Sequence, residues 1–241
     1  MNLPEDVFKN IESFDDLVDL LLHPIKDYTD IIGDLAQPVR ALYSIYSLRK
    51  RFQLKSFIKG YNRALGENKL TEEDKQKLVK YFEKEKNILL ISEILESAIS
   101  SLSVKSSALL GVIAGRVLLN KSESLSNSDY VLIGALKNLT DIDLDLFNQL
   151  VKFIKNSDPP FRETDHGMVE YRFRDIYKAM NHDQIPFERD QMEAVTEKLK
   201  NLGVLSYSAG GIGSYGNDRG AFMFSKYSEV LNELIQTTLP N

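Results

Sequence analysis

Apolar residues recur every three or four positions through most of the first two-thirds of the chain, the spacing of amphipathic helices. Phe14, Leu17, Val18, Leu21 and Leu22 follow Ser13, which suits a helix N-cap. Pro24 and Pro38 interrupt the pattern, and each suits the first position of a helix. Helical spacing then runs over residues 39–65 until Gly66-Glu67-Asn68. Thr71-Glu-Glu-Asp74 has the form of a capping box for a helix reaching Glu85. Residues 88–102 and 106–119 read as two apolar helices.

The polar run Lys121-Ser-Glu-Ser-Leu-Ser-Asn predicts a boundary, dividing a helical domain at 1–122 from a second domain at 123–241. Beyond it, Ser128 or Asp129 caps a helix over 130–139, and Asp141 or Asp143 caps another over 144–155. Asn156-Ser-Asp-Pro-Pro160 ends that helix. A loop is expected to Gly167, and Tyr171-Arg-Phe-Arg-Asp-Ile-Tyr-Lys favours helix over 168–180.

The last fifty-odd residues change period. Residues 190–203 read as helix, 204–208 as strand, 209–220 as a glycine-rich loop, 221–225 as strand and 227–235 as helix. Phe222 and Phe224 alternate with Met223 and Ser225, so the two strands should pair antiparallel, with Leu202 buried beside them. Helix, hairpin, helix is the back half of a winged-helix module. The fold class expected is mainly α: a helical N-terminal bundle followed by a winged-helix-like α+β C-terminal module with one β-hairpin.

Composition narrows the function classes. A chain of 241 residues with 43% hydrophobic content has ample material for a packed core. Absence of cysteine removes disulfides, thiolate metal sites and a cysteine nucleophile, and fits a reducing compartment. The acidic start Met-Asn-Leu-Pro-Glu-Asp lacks the basic flank of a secretory signal, so a cytoplasmic location is expected. The apolar run 108–119 contains Arg116 and falls short of the roughly 20 residues a membrane span needs.

Net charge is −5, but it is segregated. Residues 1–34 hold nine acids and two lysines, a charge of −7; residues 40–63 hold seven bases and no acid, +7. From Ser126 onward seventeen acids face twelve bases. With no strongly basic domain, nucleic acid is not the favoured partner.

Each motif has a plainer explanation than chemistry. Gly211-Ile-Gly213-Ser-Tyr-Gly216 matches GxGxxG, but a strand follows it where a dinucleotide site needs a helix. Asp141-x-Asp143-x-Asp145 opens like a calcium loop, but Leu146 and Lys152 stand where Gly and Glu are required. Those acids suit a helix N-terminus instead. Gly111-x-x-x-Gly115 fits close helix contact in a soluble core. His23, His166 and His182 have no zinc-site spacing, and Asp165-His166 lacks a serine motif. No cofactor, metal or catalytic residue is therefore expected.

The strongest patterned feature is basic. Arg51, Lys55, Lys59 and Arg63 step by four along one helix, while Leu54, Phe57, Ile58, Tyr61 and Leu65 take another face. Such a stripe can meet the acidic opening segment, a protein partner, nucleic acid or an anionic membrane surface. These four are the candidate interaction residues. On the helix that stands in the recognition position, Glu188, Asp190, Glu193 and Glu197 outnumber Arg189, Lys198 and Lys200, which favours docking or dimerisation over DNA reading.

Ser128-Asp-Tyr-Val-Leu-Ile-Gly-Ala-Leu-Lys-Asn-Leu-Thr-Asp-Ile-Asp, after a helical core, and the late Leu199-Lys-Asn-Leu-Gly-Val-Leu before a hairpin resemble the bacterial abortive-infection alpha family. The acidic-aromatic run of that pattern before the first core helix is absent. The resemblance implies a bacterial or prophage setting and a role in phage exclusion, and supplies no catalytic residue. The function expected is a non-catalytic protein-interaction module, self-associating or binding another protein; the alternative is a winged-helix DNA-binding transcriptional regulator.

Overall fold

The computed structural model describes residues 48–67, 71, 73, 80, 81, 84–157, 161–163, 169–180, 187–207 and 221–239. They form helices α1 (Leu48–Glu67), α2 (Glu85–Ser100), α3 (Val104–Leu119), α4 (Asn127–Asn138) and α5 (Asp141–Ser157), then strands β1 (Phe161–Glu163) and β2 (Val169–Arg172). Helices α6 (Phe173–Ala179) and α7 (Arg189–Asn201), strands β3 (Leu205–Tyr207) and β4 (Ala221–Phe224), and helix α8 (Lys226–Thr238) follow. Helix predominates and the strands lie in the C-terminal part, as the apolar spacing predicts. The helix expected over 14–22, most of the one after Thr71, and the glycine-rich loop lie outside the described residues.

Two compact units divide between Leu139 and Thr140, seventeen residues beyond the division expected at 122/123. The polar run is a tied turn. Lys121 and Ser122 close α3 by donating backbone N–H to Leu118 O at 2.9 Å and Val117 O at 3.0 Å, a Schellman pattern. Tyr81 Oη donates to Ser122 O at 2.6 Å. Glu123 receives Lys84 Nζ at 2.5 Å and also Lys86. These two ammonium groups hold the exposed Glu123 carboxyl down at about 2. Ser126, not Ser128 or Asp129, then caps α4. Asp129 N–H donates to Ser126 Oγ at 3.1 Å, and Ser126 N–H to Asp129 Oδ2 at 2.9 Å.

The closing residue Lys121 sits at φ 53°, a left-handed conformation that glycine adopts without steric cost. Lys121→Gly is expected to raise stability by about 0.5–1 kcal/mol, the left-handed penalty less the glycine entropy. Denaturant midpoints of the two proteins check this; a lower midpoint for the variant refutes it.

In the first unit, α1 and α3 meet along small residues. A Cβ added at Gly60 would lie 2.0 Å from Ala108 O, and one at Gly111 2.0 Å from Phe57 O. At Gly115 it would lie 2.6 Å from Ala64 Cβ. The GxxxG spacing thus serves a helix crossing in which backbone touches backbone. Leu54, Phe57, Ile58, Tyr61 and Leu65 bury one side of α1, and Ile94, Leu109, Leu110 and Leu118 complete the core around them. Burial raises the Tyr61 hydroxyl above the normal phenol range, and nearby Tyr81 adds to the effect.

Between α2 and α3 sits a buried serine cluster. Ser103 accepts from Ser106 N–H at 2.9 Å and caps α3. Ser107 Oγ donates to Ala98 O and meets Ser101 Oγ, both at 2.9 Å. Ser106 Oγ donates to Leu139 O at 3.3 Å, and Gln53 Nε2 of α1 donates to Ser101 O.

The second unit carries a four-stranded sheet of order β1-β2-β4-β3, all neighbours antiparallel. The expected hairpin is present, with Leu205 opposite Phe224 and Tyr207 opposite Phe222. Two further strands stand where a loop and a helix were expected. β1 is three residues long beside Pro159-Pro160, too short to show a period. β2 pairs Tyr171 with Phe222 and Arg172 with Ala221, and this pairing overrides the helical spacing before α6 begins at Phe173. In β4, an inner strand of the sheet, Ala221, Phe222 and Met223 are all buried.

α5 begins three residues earlier than its acids suggested. Thr140 and Asp143 bond reciprocally, with Thr140 N–H donating to Asp143 Oδ2 at 2.7 Å. α7 ends in a second Schellman turn, in which Gly203 (φ 74°) donates to Lys200 O and Val204 to Leu199 O. Leu202 occupies the cap of that turn and is half-buried, not buried as expected; Leu199, Val204 and Leu205 fill the interior. The second unit thus alternates helices with a small antiparallel sheet, in the order α5, β1, β2, α6, α7, β3, β4, α8, with β1 at the sheet edge.

Candidate functional site

Two helix surfaces carry the chemistry that the sequence singled out. The first is α1. At 3.6 residues per turn, its buried positions span an arc of roughly 160°, and Lys59 lies roughly opposite the middle of that arc. Phe52 and Arg63 fall within about 40° of Lys59, and all three are exposed, Phe52 to 54%. Lys55 lies the same roughly 40° from Lys59 on the other side and is half-buried. The four basic residues therefore share one helix, but they wind across its outer side rather than forming a straight row. Arg63 Nη1 also donates to Thr238 O at 2.7 Å, Thr238 belonging to the first unit. Phe52 escaped notice in the sequence because an aromatic at helical spacing reads as core.

The second surface is α7. Met192, Val195, Thr196 and Leu199 face inward. Both of its lysines are engaged within the unit. Lys198 Nζ lies 2.5 Å from Asp143 Oδ2 on α5. Lys200 is 4% exposed, pairs with Glu197, donates to Ala221 O at 3.3 Å and lies 5.1 Å from the Tyr207 ring centroid. What remains outermost at the start of the helix is Glu188, Arg189, Asp190 and Gln191, with Glu193 half-buried a turn on. Of the two lysines only Lys200 is buried; Lys198 keeps about a third of its side chain exposed while it pairs with Asp143.

Asp143, the middle acid of the calcium-like triplet, is buried, caps α5 through Thr140 and pairs with Lys198. Among the described residues, no group of three histidine, aspartate or glutamate side chains is placed to hold a metal ion. His23, His166, His182, Asp165 and the glycines 211, 213 and 216 lie outside the described residues. Among the described residues, no helix is long and apolar enough to cross a membrane. No protein-family model, curated protein or solved structure matches this chain.

Proposed function

We propose that this chain is a non-catalytic protein-interaction module, and that its C-terminal winged helix docks protein rather than reading DNA. The observation that carries this reading is the burial of Lys200 against Ala221 O together with the pairing of Lys198 with Asp143. A helix entering a groove approaches phosphates from both sides, and phosphate contacts supply most of the affinity. Here Arg189 is flanked by Glu188 and Asp190, so the leading end of α7 repels the backbone it would have to approach.

The rival reading, a transcriptional regulator, draws on the element order alone, since DNA readers share it. Fluorescence anisotropy with duplex DNA across a salt series separates the two. The wild-type chain is expected to show no saturable binding at about 50 mM salt, where phosphate contacts are strong. Glu188→Lys combined with Asp190→Lys is expected to create binding that weakens steeply as salt rises. Micromolar or tighter wild-type binding with a steep salt slope overturns the proposal in favour of the regulator. The proposed setting, bacterial or prophage with a part in phage exclusion, is supported by the resemblance of residues 128–143 and 199–205. Unchanged plating of a phage panel on expressing cells removes that part of it.

A further inference from the structure

The outer face of α4 carries a ring, a gap and a cation in succession. Tyr130 is 53% exposed, Gly134 and Lys137 are exposed beyond it, and Leu132, Ala135 and Leu136 are buried on the other side. Glycine weakens a helix interior relative to alanine. At Gly60, Gly111 and Gly115 atoms of a neighbouring helix occupy the space a Cβ would need, and Gly66 stands at the end of α1. Gly134 lies within its helix, with nothing within 4 Å of that point. We propose that a second copy of this chain fills the gap, its α4 crossing the first antiparallel about a two-fold axis beside Gly134. This inference is independent of how the C-terminal unit is used.

The face is complementary to itself in that orientation. Tyr130 and Lys137 lie within about 20° of each other around the helix and about 10.5 Å apart along it. A two-fold axis midway between them brings each Lys137 level with the other copy's Tyr130, whose ring attracts an ammonium group. Among the described residues, neither side chain takes part in a hydrogen bond, ion pair or ring contact. Charge agrees with the pairing. α4 has Asp129 in its first turn and Lys137 in its last, so antiparallel copies set acid near base at both ends. A parallel pair would set like against like. The missing side chain at the centre lets the helix axes approach to about 8 Å, the near end of helix packing distances. A crossing of two 12-residue helices buries less than the roughly 1,200 Å² of a stable complex, so the pair is transient and concentration-dependent.

Sedimentation velocity of the full chain, from about 5 µM to about 500 µM, tests this. The wild-type sedimentation coefficient should rise towards that of a dimer across the range. Gly134→Ala brings a methyl group to the crossing from each copy. The dilute variant should fold and melt no lower than wild type, since nothing in its own chain meets that methyl. Its association should weaken about tenfold or more, as overpacking a close contact does. Tyr130→Ala should weaken association as well. The chain has no cysteine, so single-cysteine variants can form disulfides only between copies. When Tyr130→Cys chains are mixed with Lys137→Cys chains, the mixed disulfide should exceed either like pair. A wild-type chain that stays monomeric at every concentration overturns the proposal. So does association undiminished in Gly134→Ala, or an excess of like-paired disulfides.

Discussion

Gly111→Ala is expected to destabilise the protein by about 3 kcal/mol or more, at the upper end of overpacking costs. The added methyl would lie 2.0 Å from Phe57 O and 2.8 Å from Tyr61 N, both backbone atoms. A flexible side chain could swing aside, but here α1 and α3 would have to separate, and the apolar contacts along the crossing would loosen together. Alanine gains about 1 kcal/mol of helix propensity over glycine, which the overlap outweighs. Gly134→Ala on α4 is the control, because nothing lies within 4 Å of the point its methyl would occupy and the propensity gain should appear unopposed. For a chain of this size the first change corresponds to a fall of roughly 6–12 °C in melting temperature. Equal shifts for the two variants would show that the crossing yields freely.

Phe222→Ala is expected to cost about 3–5 kcal/mol, the range for deleting a fully buried phenylalanine. Phe222 has 0% exposure on an inner strand of the sheet. It pairs with Tyr171 on one side and Tyr207 on the other, and its ring lies 5.9 Å from that of Tyr171 and 6.1 Å from that of Phe224. Removing it empties the middle of an aromatic group that spans β2 and β4. Urea denaturation should show the loss as a lower midpoint. Phe224→Ala, at a half-buried position, should cost clearly less, and the reverse order would misplace the centre of the sheet.

Much of this was legible in the sequence because periodicity reports burial. The inward positions of α1 and the antiparallel pairing of β3 with β4 follow from apolar spacing of about 3.6 and 2 residues. What escaped notice depends on distant partners. β2 is strand because Phe222, fifty-one residues beyond Tyr171, supplies its ladder. The division at Leu139 was hidden because Tyr81, Lys84 and Lys86 bind the polar turn that looks like a linker. The exposed ring of Phe52 on the outer side of α1 was not legible, because an aromatic at helical spacing reads as core. Which lysine of α7 is buried was not legible, because the acceptor that holds Lys200 inside is Ala221 O on a distant strand.

The serine cluster between α2 and α3 bears on a different property, the uniqueness of the helical register. An apolar seam can slide by one turn and lose little, since one leucine replaces another. Hydroxyls cannot slide so cheaply. Moving α3 by a turn past α2 would part Ser107 from Ala98 O and Ser101, and would leave buried donors and acceptors unmatched. Each such orphan costs about 1–3 kcal/mol. Gln53 extends the same constraint to α1, and Ser106 extends it to the end of α4 through Leu139. The helices of the first unit are thus indexed against slippage at one end by polar groups. That leaves the glycine crossing free to be smooth without becoming ambiguous.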